Sequence, residues 1–171
     1  MSYVDTPWTE LASRTARGLL ARKGASYQRV CDLIRASGIE ESVRGVEGKI
    51  SRGTYKVSFF LRLLIVLGAE YPEHWRPILA STGSDEVHAK HILLRELSAR
   101  NLDVDMFAKK LATVGVAVPR ELLMEQLATG TFQFVLLLQL ASADRIPGFE
   151  RFVDDCDLAE VSLRAQDQQI K

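Results

Sequence analysis

The sequence has few of the features that mark secreted, disulfide-bonded or membrane proteins. It contains two cysteines, Cys31 and Cys156, which is too few for a disulfide scaffold, so a reduced, cytoplasmic setting is expected. No run approaches the roughly 18 consecutive apolar residues that a membrane span requires. The segment from Met1 to Trp8 has no basic start followed by an apolar stretch, as a secretion signal would. Secretion and membrane insertion are therefore not expected.

Motifs for catalysis and metal binding are also missing. There is no P-loop, Gly-x-Ser-x-Gly or dinucleotide fingerprint. His88 and His91 are three residues apart without a third ligand nearby in the sequence, so we predict surface histidines rather than a metal site. Cys31 falls on an inward-facing helix position, where a buried thiol is favoured over a nucleophile. We predict no enzyme activity, no metal and no cofactor.

The net charge is zero, but the charges are unevenly distributed along the chain. Residues 1–76 have 12 Lys+Arg against 8 Asp+Glu, giving +4, whereas residues 77–171 have 10 against 14, giving −4. No global field would hold the whole molecule on DNA or on an acidic membrane. An anionic partner is therefore expected to bind the first half only.

The chain repeats itself after a shift of 77 positions. Gly38 and Gly53 fall on Gly115 and Gly130, and the apolar positions around them agree although identities are few. Periodicity and turn residues predict four helices in each copy. Those of copy one run from Trp8 to Lys23, from the cap Ser26 to Gly38, from Ser42 to Ser51 and from Val57 to Leu67. Those of copy two run from Ala89 to Arg100, from Asp103 (in the cap role of Ser26) to Val114, from Pro119 to Ala128 and from Phe134 to Ala143.

We therefore predict an all-α protein of two tandem four-to-five-helix domains. The boundaries are 8–70 for a basic domain, 71–87 for a linker, 88–152 for an acidic domain and 153–171 for a tail, either a short helix or disordered. Composition allows one large or two small cores, and the repeat favours two. The aromatic residues predicted for core or domain packing are Trp8, Phe59, Phe60, Trp75 and Phe132. The run Val135 to Leu140 is apolar almost all round, which predicts a helix buried on several sides or a protein interface.

Part of copy one resembles a known family. The segment Glu41 to Phe60, with Lys-Ile-Ser-Arg-Gly-Thr-Tyr from Lys49 to Tyr55 at its centre, resembles an uncharacterised bacterial family, domain of unknown function 6471. The pattern of that family is Asn-Lys-Ile/Leu-Ser-Arg-Gly-Thr/Lys-Phe, followed by an apolar helix. In this sequence Gly48 replaces the Asn, and Tyr55 replaces the Phe. Residues 26–68 also resemble the lambda-repressor-like superfamily. That resemblance implies a helix-turn-helix, whose second helix crosses the DNA backbone and whose third lies in the major groove.

This arrangement identifies the candidate nucleic-acid contacts. Arg44, Glu47 and Lys49 are expected on the exposed side of the third helix, and Arg52 and Lys56 follow it toward the DNA backbone. Three residues at the start of the second helix are expected to donate to phosphates: Ser26, Tyr27 and Gln28. The competing interpretation is that these charges only solvate an exposed face.

Comparison of the copies by charge separates their expected roles. Eight positive residues of copy one align with residues of copy two that carry no positive charge: Arg22, Arg29, Arg35, Arg44, Lys49, Arg52, Lys56 and Arg62. Because phosphate neutralisation supplies affinity, copy two is expected to bind DNA weakly or not at all. Gly45 and Gly48, each costing on the order of 1 kcal/mol in a helix, either allow a close approach of the backbone to DNA or to another helix, or mean that the helix is short.

These observations lead to three hypotheses. The first is a bacterial or phage-type DNA-binding protein, a transcriptional regulator located in the cytoplasm at the nucleoid. Copy one would bind double-stranded DNA, and copy two would form a homodimer or bind a protein partner. The alternative is a protein–protein interaction adaptor that does not bind DNA. In the third, the two copies pair within one chain as a pseudo-dimer.

Overall fold

The computed structural model describes residues 6–171, so most of the amino-terminal segment considered for a secretion signal lies outside the described residues. This part of the chain contains ten α-helices: α1 Pro7–Arg22, α2 Tyr27–Ala36, α3 Val43–Arg52, α4 Val57–Val66, α5 Arg76–Leu79, α6 Asp85–Ala99, α7 Val104–Thr113, α8 Arg120–Thr129, α9 Phe134–Ala143 and α10 Asp155–Gln169. Two short 3-10 helices occur at Glu73–Trp75 and Phe149–Arg151. The predicted all-α class is confirmed. None of the described helices has the length and apolar character needed to cross a bilayer.

The repeat is reproduced helix by helix, since α2, α3 and α4 begin and end 77 positions before α7, α8 and α9. Gly53 and Gly130 end the third helix of each copy with φ of +66° and +68°. A Cβ added at Gly53 would lie 1.8 Å from the Thr9 carbonyl oxygen, and one at Gly130 would lie 2.0 Å from that of Glu86. Each third helix therefore ends against the first helix of its own copy, at a point where only glycine fits.

Side-chain caps fix where several helices begin. Ser26 and Asp103 both accept a hydrogen bond from the backbone N–H three residues further on, as their predicted cap roles require. Ser84 does the same for α6. That helix consequently begins at Asp85, four residues before the predicted start at Ala89 and inside the predicted linker.

The two copies pair around an approximate two-fold axis. Lys56 and Gln133, which are repeat counterparts, face each other in an antiparallel bridge. Two backbone hydrogen bonds flank the bridge and exchange partners between the copies: Val57 N to Phe132 O (3.1 Å) and Phe134 N to Tyr55 O (3.0 Å). The helices follow the same symmetry, because α4 packs on α6 as α9 packs on α1, and α5 packs on α6 as α10 packs on α1. The chain is thus an intramolecular pseudo-dimer.

A single hydrophobic core extends through both copies, where the repeat had favoured two small ones. Six aromatic side chains, in contact through successive ring pairs, lie at the seam: Tyr55, Phe60, Trp75, Phe134, Phe149 and Phe152. The Phe60 and Phe134 ring centroids, one from each copy, are 4.1 Å apart. The cores merge because each copy buries its fourth helix against the other copy. Among the predicted core aromatics, Phe59 alone is half-buried rather than buried.

The last two helices complete this core. Six consecutive residues of α9, 136–141, are buried, which confirms the prediction of a helix covered on several sides. The covering helices are α1, α7 and α10 of the same chain. Of the two interpretations of the 153–171 tail, the helix is correct: α10 buries Leu158, Val161 and Ala165.

Candidate nucleic-acid interface

The predicted interface lies on α2 and α3 of copy one, which are joined by residues 37–42 and packed on each other. Val46 and Ile50 on the inner side of α3 are fully buried. Arg44 and Glu47 are exposed, as predicted. Arg44 makes no hydrogen bond or ion pair with any residue that the structure describes, so its guanidinium is available to an external anion.

Lys49 is less available than the sequence suggested. Its Nζ lies 2.5 Å from Glu41 Oε2 and 5.1 Å from the centre of the Phe59 ring. The Lys49 side chain remains 42% exposed. A phosphate would therefore have to compete with the Glu41 carboxylate for this ammonium group, which weakens Lys49 as a primary contact.

The two glycines of α3 make room for side chains of the same helix region. A Cβ at Gly45 would lie 2.5 Å from Glu41 Oε1, and one at Gly48 would lie 2.9 Å from Arg52 Nη1. The Glu41 carboxylate and the Arg52 guanidinium thus lie directly against the backbone of α3, where a side chain is absent. The helix is not shortened, because α3 and α8 both have ten residues. At these two glycines the approaching groups are side chains of the same helix region rather than another helix, and a close approach to DNA stays a prediction.

The start of α2 offers backbone rather than side-chain donors. The Ser26 hydroxyl is exposed but accepts from the N–H of Arg29 (3.1 Å), and Gln28 Nε2 donates to Asp32 (2.9 Å). Tyr27 is half-buried. The first N–H groups of α2 have no partner within the helix, and such a helix end favours an anion.

Arg52 and Lys56 line a cleft of about 380 Å³ between α3, α4 and the start of α6. Four cations and three carboxylates line it: Lys49, Arg52, Lys56 and Arg62 against Glu41, Asp85 and Glu86. Its charge is therefore mixed. Lys56 is exposed at the pseudo-dimer axis, beside the basic surface rather than within a uniformly basic groove.

Several of the eight cations that distinguish copy one hold the fold together. Arg62 donates twice to Asp85 of copy two (2.8 and 2.7 Å), Arg35 Nε donates to the Glu41 carbonyl (2.8 Å), and Arg22 donates to the Arg151 carbonyl (3.3 Å). The lack of these cations in copy two therefore reflects differences in structural contacts as well as any difference in DNA binding. Among these eight cations, those that are exposed and have no described partner are Arg29, Arg44 and Lys56.

The prediction that His88 lies on the surface is wrong. Its ring is buried, and Nε2 lies 3.1 Å from the Ser81 carbonyl, so Nε2 carries the proton. His91 is exposed, as predicted, and the Cys31 thiol is buried, as predicted. Within residues 6–171, no three His, Cys, Asp or Glu side chains come together as a metal site would require.

Sequence reasoning missed a buried carboxylate in copy two. Glu96 is 1% exposed and accepts hydrogen bonds from Trp75 Nε1 (2.8 Å), His74 Nε2 (2.5 Å) and Arg100 Nη1 (2.8 Å). Burial raises the pKa of this carboxyl, but the three hydrogen bonds and the charge attraction of His74 outweigh it, so the pKa is lowered from the usual 4.5. A signal was present, because Glu96 occupies the repeat position of the buried Leu19.

Comparison with known proteins assigns the chain to a family. A family model described as Domain of unknown function (DUF6471) matches residues 8–71 and again residues 86–146, which together exceed half of the chain. No curated protein and no solved structure matches the chain. The two matched segments correspond to the two copies of the repeat, and the chain belongs to the DUF6471 family as a tandem pair of its domains.

Proposed function

We propose that the protein binds double-stranded DNA through α2 and α3 of copy one, as a helix-turn-helix of lambda-repressor-like type, and acts as a regulator of transcription. The observation that carries the proposal is the pair Arg29 and Arg44, exposed on these two helices without a described partner. Their repeat counterparts are Met106 and Glu121, which cannot neutralise a phosphate. The start of α2 adds unpaired backbone N–H groups for a phosphate.

The pseudo-dimer determines the expected stoichiometry. The surfaces that pair the copies, α4 with α6 and α9 with α1, are already buried within one chain. Copy two then takes the place of a second subunit but presents Glu121 and Glu125 on α8 where copy one presents Arg44 and Gly48. One chain therefore binds one half-site, and the target has no two-fold symmetry.

The test is fluorescence anisotropy of a labelled duplex of mixed sequence at low and moderate salt. The wild-type chain is compared with the double variant Arg29→Ala/Arg44→Ala. The matched control, Lys109→Ala/Lys171→Ala, removes the same charge from exposed positions in copy two and the tail. We expect binding that weakens with salt. The slope of log K against log salt should become shallower by about 0.9 for each phosphate that the variant no longer neutralises.

The two variants decide between DNA binding and its alternatives. Loss of binding in the Arg29/Arg44 variant, with the control unchanged, supports copy one as the DNA-binding surface. Equal weakening in both variants would mean attraction by net charge alone and would refute the proposed site. No binding at low salt would refute DNA binding itself.

A second candidate function, an adaptor that binds protein through copy two, is favoured by a separate observation. Met106, Leu122 and Met124 on α7 and α8 are 45%, 42% and 44% exposed. Their repeat counterparts in copy one are Arg29, Gly45 and Glu47, so this apolar surface is particular to copy two. Exposed methionine and leucine side chains are typical of surfaces that bind proteins. A chain that fails to bind DNA at low salt would make this function the leading one.

A further inference from the structure

A second cleft, of about 730 Å³, opens between the end of α6, the 3-10 helix that precedes α5 and the segment after α9. Its charged and titratable lining consists of three arginines, a histidine and two carboxylates: Arg95, Arg100, Arg145, His74, Glu96 and Asp144. Ser98, Ala99 and Pro147 complete the lining. We propose that this cleft binds a small molecule carrying a phosphate or carboxylate group, held by Arg95 and Arg145. The site lies in copy two and is independent of the DNA-binding proposal.

The carboxylates of the cleft are already compensated by the chain. Glu96 is saturated by its three donors. Arg100 also donates to the Arg145 carbonyl, and its Nε faces Asp144 Oδ1 at 3.7 Å. Asp144 is shared with Lys110, whose Nζ lies 3.6 Å away. Each carboxylate of the cleft therefore has cationic partners within the chain, Glu96 through hydrogen bonds and the 38% exposed Asp144 through two longer ion pairs, and these partners offset its repulsion of an anion.

The two remaining arginines of the cleft have little or no compensation. Arg95 is exposed and has no hydrogen bond or ion pair with any described residue. Arg145 is 72% exposed, and its nearest carboxylate, on Glu150, is 4.0 Å away, at the limit of an ion pair. Two guanidinium groups in one cleft match the oxygens of a phosphate or carboxylate, because each presents a planar fork of donors. The cleft volume lies within the range of small-molecule sites.

The repeat shows which part of this arrangement the fold needs. In copy one, Lys23 Nζ donates to the Gly68 carbonyl (3.1 Å), and the counterparts Arg100 and Arg145 make the same contact in copy two. One cation at the end of the first helix is therefore enough to hold that junction. Four other charged residues of the cleft replace apolar or small residues of copy one: Arg95 for Gly18, Glu96 for Leu19, Asp144 for Leu67 and Arg145 for Gly68. The chain itself pairs Glu96 and Asp144, so the charges that a ligand accounts for are those of Arg95 and Arg145.

Trp75 provides a local probe, because its indole N–H donates to Glu96 beside the cleft. The experiment is an ¹H–¹⁵N spectrum of the full chain titrated with inorganic phosphate and, separately, with citrate, at ionic strength held constant with sodium chloride. The sequence has two tryptophans, so the Trp8 indole signal is an internal reference. We expect a saturable shift of the Trp75 signal with at least one of the two anions. Phosphate alone identifies a phosphate site, and citrate alone identifies a carboxylate site.

The variant Arg95→Ala/Arg145→Ala tests the residues. Both side chains are exposed, and Arg145 contributes only its backbone carbonyl to the Glu96 network, so the fold should be retained. We expect affinity to fall at least about tenfold, because the anion is deprived of two charge-assisted hydrogen-bonding partners, while Lys109→Ala/Lys171→Ala leaves it unchanged. The proposal is overturned if neither anion gives a saturable shift, or if the Arg95/Arg145 variant responds as the wild type does.

Discussion

Replacing Gly53 by alanine would test how the third helix of copy one meets the first. The added Cβ would lie 1.8 Å from the Thr9 carbonyl oxygen, more than 1 Å short of the 3.0 Å that real Cβ contacts keep. Two costs add. The left-handed backbone at Gly53 costs a non-glycine residue about 1–2 kcal/mol, and displacing packed backbone costs about 1–3 kcal/mol. We expect the free energy of unfolding to fall by roughly 2–5 kcal/mol, and Tm by about 5–20 °C for a chain of this size.

Gly24 supplies the matched control. Its φ is +58°, close to that of Gly53, but a Cβ added there has no atom within 4 Å. Gly24→Ala therefore incurs only the backbone cost. Thermal and denaturant unfolding, followed by circular dichroism, measure both variants. If Gly53→Ala is no more destabilising than Gly24→Ala, the steric reasoning is refuted. Gly130→Ala should repeat the result, and because the core is shared, each variant should unfold in a single transition.

Three further predictions concern buried polar groups and caps. Tyr55→Phe removes the hydrogen bond to the Ala12 carbonyl (2.6 Å) and should cost about 1 kcal/mol at neutral pH. Since burial holds the pKa of Tyr55 well above 10.0, stability should be full below pH 10 and fall as the pH rises further, and the variant should lose this alkaline dependence in pH-jump unfolding. Glu96→Gln should cost about 3 kcal/mol at neutral pH, because it leaves Arg100 buried without its carboxylate. Because the pKa of Glu96 is lowered from 4.5, the stability advantage of the wild type over this variant should be present above pH 4.5 and decline as the pH falls through the folded pKa. A difference in stability that does not change as the pH is lowered below 4.5 would contradict the assignment. Asp103→Ala should cost about 1 kcal/mol by denaturant unfolding, with Asp103→Asn retaining most of the stability because either side chain caps α7.

The elements themselves could be predicted because their signals are local. Helical periodicity, the cap residues Ser26 and Asp103 and the glycines at Gly53 and Gly130 each act within a few residues of their own position. α9 was therefore predicted with both of its ends correct, at Phe134 and Ala143. The start of α6 was misplaced by several residues, because the predicted linker already contains its cap. The same linker also contains α5 and the 3-10 helix before it, which were not predicted.

The tertiary contacts could not be predicted, because no local pattern records them. Lys49 pairs with Glu41, which lies in the segment between α2 and α3, and this contact offsets part of the charge that the sequence assigned to DNA. His74 and Trp75 come from a segment predicted as a linker, yet they satisfy Glu96 more than twenty positions away. The exposed charges of the candidate site were easier to predict. The apolar residues of α3 define its inner face, and Arg44 and Glu47 lie outside that face.

The bridge at the centre of the pseudo-dimer has a consequence for how such a chain can diverge. If two separate copies of the first domain paired in this way, two lysines would face each other where Lys56 now faces Gln133. Like charges directly opposite each other across paired strands are destabilising. Because the two copies belong to one chain, a substitution changes only one side of the axis, and here one side carries Lys56 while the other carries the neutral amide of Gln133. The same freedom permits Arg62 to pair with Asp85 on one side while Gln139 and Trp8 occupy the counterpart positions on the other. In a symmetric homodimer every substitution appears in both subunits and therefore on both outer faces. This molecule can instead present different side chains at each end of one shared core.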